Sequence, residues 1–264
     1  MKSRLLRLRI VFSPVFTIMI LLVMVMMACG KASNLIHTDS LGTLLMDEFG
    51  GIIWAEEISI YESVSWFMLF LPVGIAVAIF LHARMAVMLL LEGYRYRRTW
   101  RLYLQLMVEA LLVAWTVVLL EVIVSVLVGI IGGLRGMAVW VTDGSGFIML
   151  NHWLAYSAVV QFWLLASLIT LFAFVLYLIL RNITWFMIAF IFPSVLSVLS
   201  FSAPIYRNTY RLVNAGMAQR LSIEGSFGVP FSDAILRLFF YILVVAVLGG
   251  IIFCRIRKYD CRYE

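Results

Sequence analysis

The sequence is short of charge, and this shortage already defines its class. Charged residues make up 13% of the 264 residues, whereas about 25% is usual in a water-soluble domain. Hydrophobic residues make up 64%, which is more than one soluble core of this length can bury. The composition excludes soluble, disordered and disulfide-rich secreted proteins and indicates an integral membrane protein.

Residues and motifs that build catalytic centres are also scarce. The three cysteines and three histidines have no metal-ligand or redox spacing. They are Cys29, Cys254, Cys261, His37, His82 and His152. The sequence has no phosphate-binding glycine loop, no G-x-S-x-G motif and no H-E-x-x-H pair. We therefore expect no enzymatic activity, no cofactor and no metal site in this chain.

Long apolar runs are what the sequence has in abundance. A bilayer core about 30 Å thick needs roughly 20 apolar residues per helix. Six runs approach or exceed this length: residues 10–28, 64–81, 104–131, 153–180, 184–203 and 235–254. We predict one all-α transmembrane domain over residues 1–264, a polytopic bundle of six helices. Cleavage of the first run at Cys29 is an alternative that would leave five spans.

Charge in the connections predicts the orientation of these spans. Most of the 20 lysines and arginines fall on one side. These are Lys2, Arg4, Arg7, Arg9, Arg84, Arg95, Arg97, Arg98, Arg101, Arg181, Arg255, Arg257, Lys258 and Arg262. The positive-inside rule therefore predicts a multi-pass protein of the cell membrane with both termini in the cytoplasm. The same rule accounts for the net charge of +6 without a nucleic-acid partner.

Two outer segments, residues 31–63 and 204–233, are long enough to have structure of their own. In the first, apolar residues such as Leu41, Leu44, Leu45 and Phe49 recur at helical spacing before Gly50-Gly51. This pattern favours a short amphipathic helix lying in the outer interface, with a lid over a pathway as the alternative. The second segment mixes glycine, proline and apolar residues. It fits short helices that dip into the membrane or a plain surface loop.

Three polar residues fall inside the predicted spans. Glu109 lies near the cytoplasmic edge of the third span, and Glu121 lies close to its middle. A charge at mid-depth costs roughly 3 kcal/mol on insertion scales, so Glu121 needs a partner, water or a proton. Gln161 lies at a comparable depth on the fourth span. We predict a contact between Glu121 and Gln161 that helps to hold the two helices together, with a proton relay through Glu121 as the alternative.

The inner connection between the second and third spans is strongly basic. Residues 84–103 carry five arginines among aromatic residues at helical spacing. We predict a short basic helix here. Such a helix can bind lipid phosphates or form a docking surface for a cytoplasmic partner.

The layout of six spans, inner basic helix and outer segment 204–233 resembles the permease subunit of type-2 ABC exporters. The local resemblance lies in the stretch Glu92-Gly93-Tyr94-Arg95-Tyr96-Arg97-Arg98-Thr99-Trp100-Arg101. It implies a separate cytoplasmic ATPase subunit that docks on Glu92, Arg95, Arg97, Arg98 and Trp100. It also implies a second permease copy or homologue, and export of a peptide, antimicrobial, drug or lipid-like substrate by alternating access.

Two other functions remain open at the level of sequence. One is a secondary transporter or channel that uses Glu121, although the two halves show no convincing internal repeat. The other is a membrane partner that transports nothing, such as an immunity or signalling subunit.

Overall fold

Seven helices form most of the chain in the computed structural model, which describes residues 14–33, 40–51, 60–91, 99–142, 148–151, 153–199 and 231–260. Leucine, isoleucine, valine and phenylalanine dominate nearly all of them. Such apolar segments form helices because backbone polar groups in lipid must pair within the segment. The helices are α1 (Pro14–Ala32), α2 (Leu41–Phe49), α3 (Ile60–Leu91), α4 (Thr99–Ile131), α5 (Leu154–Leu180), α6 (Ile183–Leu199) and α7 (Phe231–Asp260).

A short β-hairpin lies between α4 and α5 and departs from the predicted all-α fold. Strand β1 (Val139–Thr142) pairs antiparallel with β2 (Ile148–Asn151), with Val139 opposite Asn151. The run Val-Trp-Val-Thr favours a strand, and the Asp-Gly-Ser-Gly that follows favours a turn. The sequence prediction did not include these strands, because it considered only runs long enough to form membrane helices.

Among the described residues, four helices are long and apolar enough to cross a membrane: α3, α4, α5 and α7. Their qualifying stretches are Val64–Arg84, Trp100–Ile131, Leu154–Leu180 and Ser232–Ile256. Shorter apolar stretches, Thr17–Ala32 and Ile183–Phe192, lie in α1 and α6. Each of the six predicted runs thus overlaps a helix, and a bundle of membrane-like helices forms as predicted, whereas six spans and cytoplasmic termini stay a prediction.

Helix α5 is the centre of the bundle. It packs against α2, α4, α6 and α7, and small buried residues such as Ala158, Ala166 and Ala173 let these neighbours approach closely. Its antiparallel register with α4 is fixed where the indole Nε1 of Trp115 donates a hydrogen bond to Ser167 Oγ, 2.9 Å away. Trp115 also packs edge-on against Trp163, with ring centroids 5.2 Å apart.

One face of α4 is left open to the surroundings. Its exposed apolar side chains follow three- and four-residue spacing and so form one stripe. They are Val108, Leu112, Trp115, Leu119, Ile123, Leu127 and Ile130. An apolar stripe of this kind suits contact with lipid tails, while the opposite face of α4 carries the buried residues of the site below.

The two ends of the bundle differ in chemistry. The end where α4 stops and α5 begins carries β1 and β2, and we call it the hairpin end. The opposite end carries Arg84 and Trp100, and we call it the arginine end.

Residues 84–91 continue α3 and residues 99–103 begin α4, so the predicted inner helix over 84–103 is divided between two long helices. Its middle, 92–98, lies outside the described residues.

Candidate functional site

Helix α2 is fastened to the hairpin end at its first turn. Ser40 is its N-cap, because the Ser40 hydroxyl oxygen accepts a hydrogen bond from the Thr43 backbone N–H, 3.1 Å away. The same hydroxyl donates to the carbonyl of Ala138. The backbone N–H of Gly42 donates to the carbonyl of Gly136, 3.2 Å away. These bonds hold the start of α2 against the segment that leads into β1.

From this anchor, α2 runs inward along α4. Leu41 and Leu44 lie against Gly129, whereas Glu48 lies beside Ser125 and near Glu121. Residue numbers rise along α2 as they fall along α4, so the two helices are antiparallel. Nine residues at 1.5 Å per residue make α2 about 13 Å long. Glu48 is therefore carried to the level of Ser125, about 1.7 turns before the last residue of α4.

Two glycines allow this close approach. A Cβ at Gly42 would overlap the backbone of Met137, and a Cβ at Gly129 would overlap the side chain of Leu41. At Gly42 the overlap is with backbone, so a larger residue there would push α2 out of its groove, whereas at Gly129 the side chains of Leu41 and Leu44 would have to move.

The structure buries one side of this helix in protein, whereas the prediction placed the helix in the outer interface. The helix forms as expected, but Gly42, Leu44, Leu45, Glu48 and Phe49 are buried among other helices. Because α2 packs against α4 and α5, its apolar side gains protein neighbours in place of lipid. This placement is closer to the alternative of a lid.

Aromatic rings close the site beneath α2. Phe49 meets Phe162 of α5 with ring centroids 5.2 Å apart. Phe162 in turn contacts Phe70 at 5.1 Å and Trp66 at 5.8 Å, both on α3. The inner end of α2 therefore rests on a layer of rings from α3 and α5 that keeps the polar groups beside it dry.

Three polar side chains are buried in this part of the bundle: Glu48 and Gln161 precede two of these rings in the sequence, and Glu121 lies near Glu48. Glu48 is 4% exposed, Glu121 is 2% exposed and Gln161 is fully buried. Both carboxylate oxygens of Glu121, one oxygen of Glu48, and the amide nitrogen and oxygen of Gln161 have no hydrogen-bond partner. A native interior rarely leaves so many buried polar atoms unpaired, which makes this cluster the strongest candidate site among the described residues.

Glu121 and Gln161 share one level of the bundle. Trp115 of α4 bonds Ser167 of α5, and moving the same number of residues toward the hairpin end leads to Glu121 and Gln161 respectively. The antiparallel register thus supports the predicted pairing. No hydrogen bond joins the two side chains, and a direct contact stays a prediction.

Glu48 is the acid of this site that is missing from the polar residues predicted from the sequence. Burial raises the pKa of Glu48 to about 7, against a smaller lowering by the Ser125 hydroxyl and the charge of Lys31. The Ser125 hydroxyl already donates its proton to the backbone oxygen of Glu121, 2.9 Å away. The sequence held a signal for this residue, because Glu48 falls on the same helical face as Leu41, Leu44 and Leu45.

At the arginine end, Glu109 has a quite different environment. Arg84 Nε lies 3.1 Å from Glu109 Oε2, and the Arg84 side chain is 3% exposed. The amide of Gln105 donates to Glu109 Oε1 at 2.9 Å. This buried ion pair joins α3 to α4 directly beside the basic connection.

Of the predicted docking residues, the structure describes only Trp100 in full. It is 40% exposed, and its ring fills the space that a Cβ at Gly250 of α7 would need. The Trp100 ring also lies 5.7 Å from Tyr103, so one side of the indole serves internal packing. Glu92, Arg95, Arg97 and Arg98 lie outside the described residues.

Comparison with known proteins leaves the site to be interpreted from its own chemistry. No protein-family model, no curated protein and no solved structure matches the chain. Among the described residues, no group of three or more histidine, cysteine, aspartate or glutamate side chains could hold a metal ion.

Proposed function

We propose that the chain is the membrane-spanning permease subunit of an ATP-driven exporter. In this proposal the chain crosses the cell membrane six times with both termini in the cytoplasm. A separate ATPase subunit docks at the arginine end, and a second permease copy or homologue completes the pathway. The substrate would be a peptide, an antimicrobial, a drug or a lipid-like molecule.

The buried ion pair between Arg84 and Glu109 is the observation that supports this proposal best. Helices α3 and α4 have 32 and 33 residues, or about 48 and 50 Å at 1.5 Å per residue. Both exceed a hydrocarbon core of about 30 Å. Since the ion pair fastens the two helices beside the basic connection, a force applied there would move them as one unit.

In the proposed coupling, Glu92, Arg95, Arg97 and Arg98 contact the ATPase subunit. Trp100 acts as a positioning residue, because its ring against Gly250 fixes where the connection enters α4. The energy for transport comes from the partner, since this sequence contains no phosphate-binding loop.

Purification of the tagged chain from its native host in mild detergent tests this proposal. We expect an ATPase to co-purify, and the double variant Arg97→Glu/Arg98→Glu to lose it because two charges at the docking surface are reversed. The matched control, Arg257→Glu/Lys258→Glu, reverses two charges near the end of α7 and should retain the ATPase. Co-purification that survives the Arg97/Arg98 change would contradict the proposed surface.

A second candidate function, secondary transport or a channel through Glu121, gains support from Glu48. An intramembrane acid beside a second buried acid is a common arrangement for moving protons or cations. Purification distinguishes the two functions, since a secondary transporter or channel would elute without an ATPase.

A further inference from the structure

The pair formed by Glu48 and Glu121 combines three properties that structural packing alone does not require. The two carboxyl groups come from different elements, α2 and α4, and are close enough for their charges to interact. Both are nine-tenths or more buried. Gln161, fully buried at the same level, adds an amide without any hydrogen-bond partner. The site therefore has unused hydrogen-bonding capacity on three sides.

Two ionised carboxylates cannot remain side by side in such a site without a compensating charge. Like charges in a low-dielectric interior repel strongly, and paired buried acids usually share a proton. A proton suits this site because it needs no cavity and turns one carboxylate into a hydrogen-bond donor.

The charged and titratable groups around Glu48 leave few other ways to neutralise it. From α1 comes Lys31, and from α4 comes Glu121. On α2 itself the neighbouring acid is Asp47, and the rings packed beside α2, Phe162, Phe70 and Trp66, do not titrate. A proton shared by Glu48 and Glu121 removes the repulsion between the two carboxylates.

We propose that Glu48 and Glu121 together bind one proton, and that this proton holds α2 in the bundle. Without it, repulsion between the two carboxylates drives α2 away from α4, and Glu48 reaches water at the hairpin end. The proton passes from the carboxyl pair to bulk water as α2 leaves and returns when α2 docks. This inference is independent of the exporter proposal, since it concerns the chain alone.

The direction of the pH dependence follows from the raised pKa of Glu48. Docked Glu48 releases its proton near pH 7, whereas an exposed glutamate does so near its ordinary value of 4.5. Docking therefore takes up a proton: it is strongest below pH 4.5, weakens as the pH rises to about 7 and then levels off. Across this interval the docking equilibrium should change on the order of 300-fold.

A buried thiol on α2 can report this equilibrium. Leu45 is 2% exposed, so Leu45→Cys in a chain with Cys29, Cys254 and Cys261 changed to serine should react only when α2 leaves. The purified chain in lipid nanodiscs is treated with a bulky membrane-impermeant maleimide at pH values from 4.5 to 8.5. The same thiol in a Glu48→Gln background corrects for the intrinsic pH dependence of the reaction, because a neutral amide at position 48 does not repel Glu121 at any pH.

We expect the ratio of labelling rates, Glu48 chain over Glu48→Gln chain, to rise steeply up to about pH 7 and then stay constant. Asp47→Asn, which removes the neighbouring acid on the same helix, should keep this profile. Gly42→Val, which blocks the docked position, should give fast labelling at every pH. A ratio that does not change with pH, or a profile abolished by Asp47→Asn, would overturn the proposal.

Infrared spectroscopy provides a second measurement that needs no cysteine variant. At pH 6 the unaltered chain should show the C=O stretching band of a protonated carboxyl group. That band should be absent from the Glu48→Gln/Glu121→Gln variant and present in Asp47→Asn. Its absence from the unaltered chain, or its persistence in the double variant, would contradict a shared proton.

Discussion

The two glutamates of α4 have opposite environments although they lie on the same helix, just over three turns apart. Glu109 meets a buried arginine and a glutamine amide. Glu121 meets a second acid and an unpaired amide, and both of its oxygens lack hydrogen-bond partners. Burial is therefore a poor guide to what a membrane glutamate does, because the charge of its neighbour decides whether it stabilises the bundle or strains it.

This contrast also divides the bundle into two halves of different electrostatics. At the arginine end the ion pair ties α3 to α4, which suits an element that transmits force as one body. At the hairpin end the acid pair can be neutral or repulsive, which suits an element with two positions. We therefore expect substitutions at Glu109 and Glu121 to change the free energy of unfolding in opposite directions.

The largest effect is expected from Glu109→Leu. It removes the carboxylate that lies 3.1 Å from the buried Arg84, and breaking a buried ion pair from one side costs up to about 3–5 kcal/mol. The free energy of unfolding should fall toward this range when the chain is unfolded by sodium dodecyl sulfate in lipid–detergent micelles. Val108→Leu, on the exposed stripe of α4, is the neutral control. A loss below about 1 kcal/mol would mean that the ion pair does not fasten α3 to α4.

An effect of opposite sign is expected from Glu121→Gln. The amide removes one of two repelling carboxyl groups and can pair with Gln161 or Glu48, so the free energy of unfolding at pH 8 should rise by about 1–2 kcal/mol. The same micelle titration measures it. Destabilisation of the size expected for Glu109 would show that both glutamates have the same structural role, and the comparison would fail.

The smallest effect is expected at the bond between Trp115 and Ser167, which sets the register that brings Glu121 level with Gln161. Trp115→Phe keeps a ring against Trp163 but removes the indole N–H. Hydrogen bonds between membrane helices average about 0.6 kcal/mol. A double-mutant cycle with Ser167→Ala should give a coupling energy of about this size. If the losses from the two substitutions are simply additive, this hydrogen bond does not set the register of α4 against α5.

Sequence periodicity could predict the amphipathic helix over Leu41–Phe49 but could not predict where it lies. The free energy of an apolar helix face is similar whether it contacts lipid or other helices, because lipid tails are as apolar as leucine. The position of α2 depends on Gly42, which lets its backbone approach that of Met137, and on Gly129, which leaves room for side chains of α2. It also depends on the bonds of Ser40 and Gly42 to Ala138 and Gly136. These contacts join residues far apart in the chain.

The residues of the site were predictable in unequal measure. Glu121, Gln161 and Glu109 stand out in the sequence because a polar group within an apolar run needs a partner. Arg84 and Glu48 are ordinary in the sequence, since arginine is expected at a membrane edge and glutamate in an acidic outer segment. Only the packing of α3 and α2 against α4 gives these two residues their partners.

The sequence by itself determined that this chain is a bundle of membrane helices, because so large an apolar fraction in runs of this length is stable only where lipid replaces water. It also determined which helices carry an isolated acid. The tertiary structure decided which acid is paired with an arginine and which with another acid. The reason is physical: hydrophobicity acts locally on every residue, whereas the energy of a buried charge depends on the one group that lies next to it.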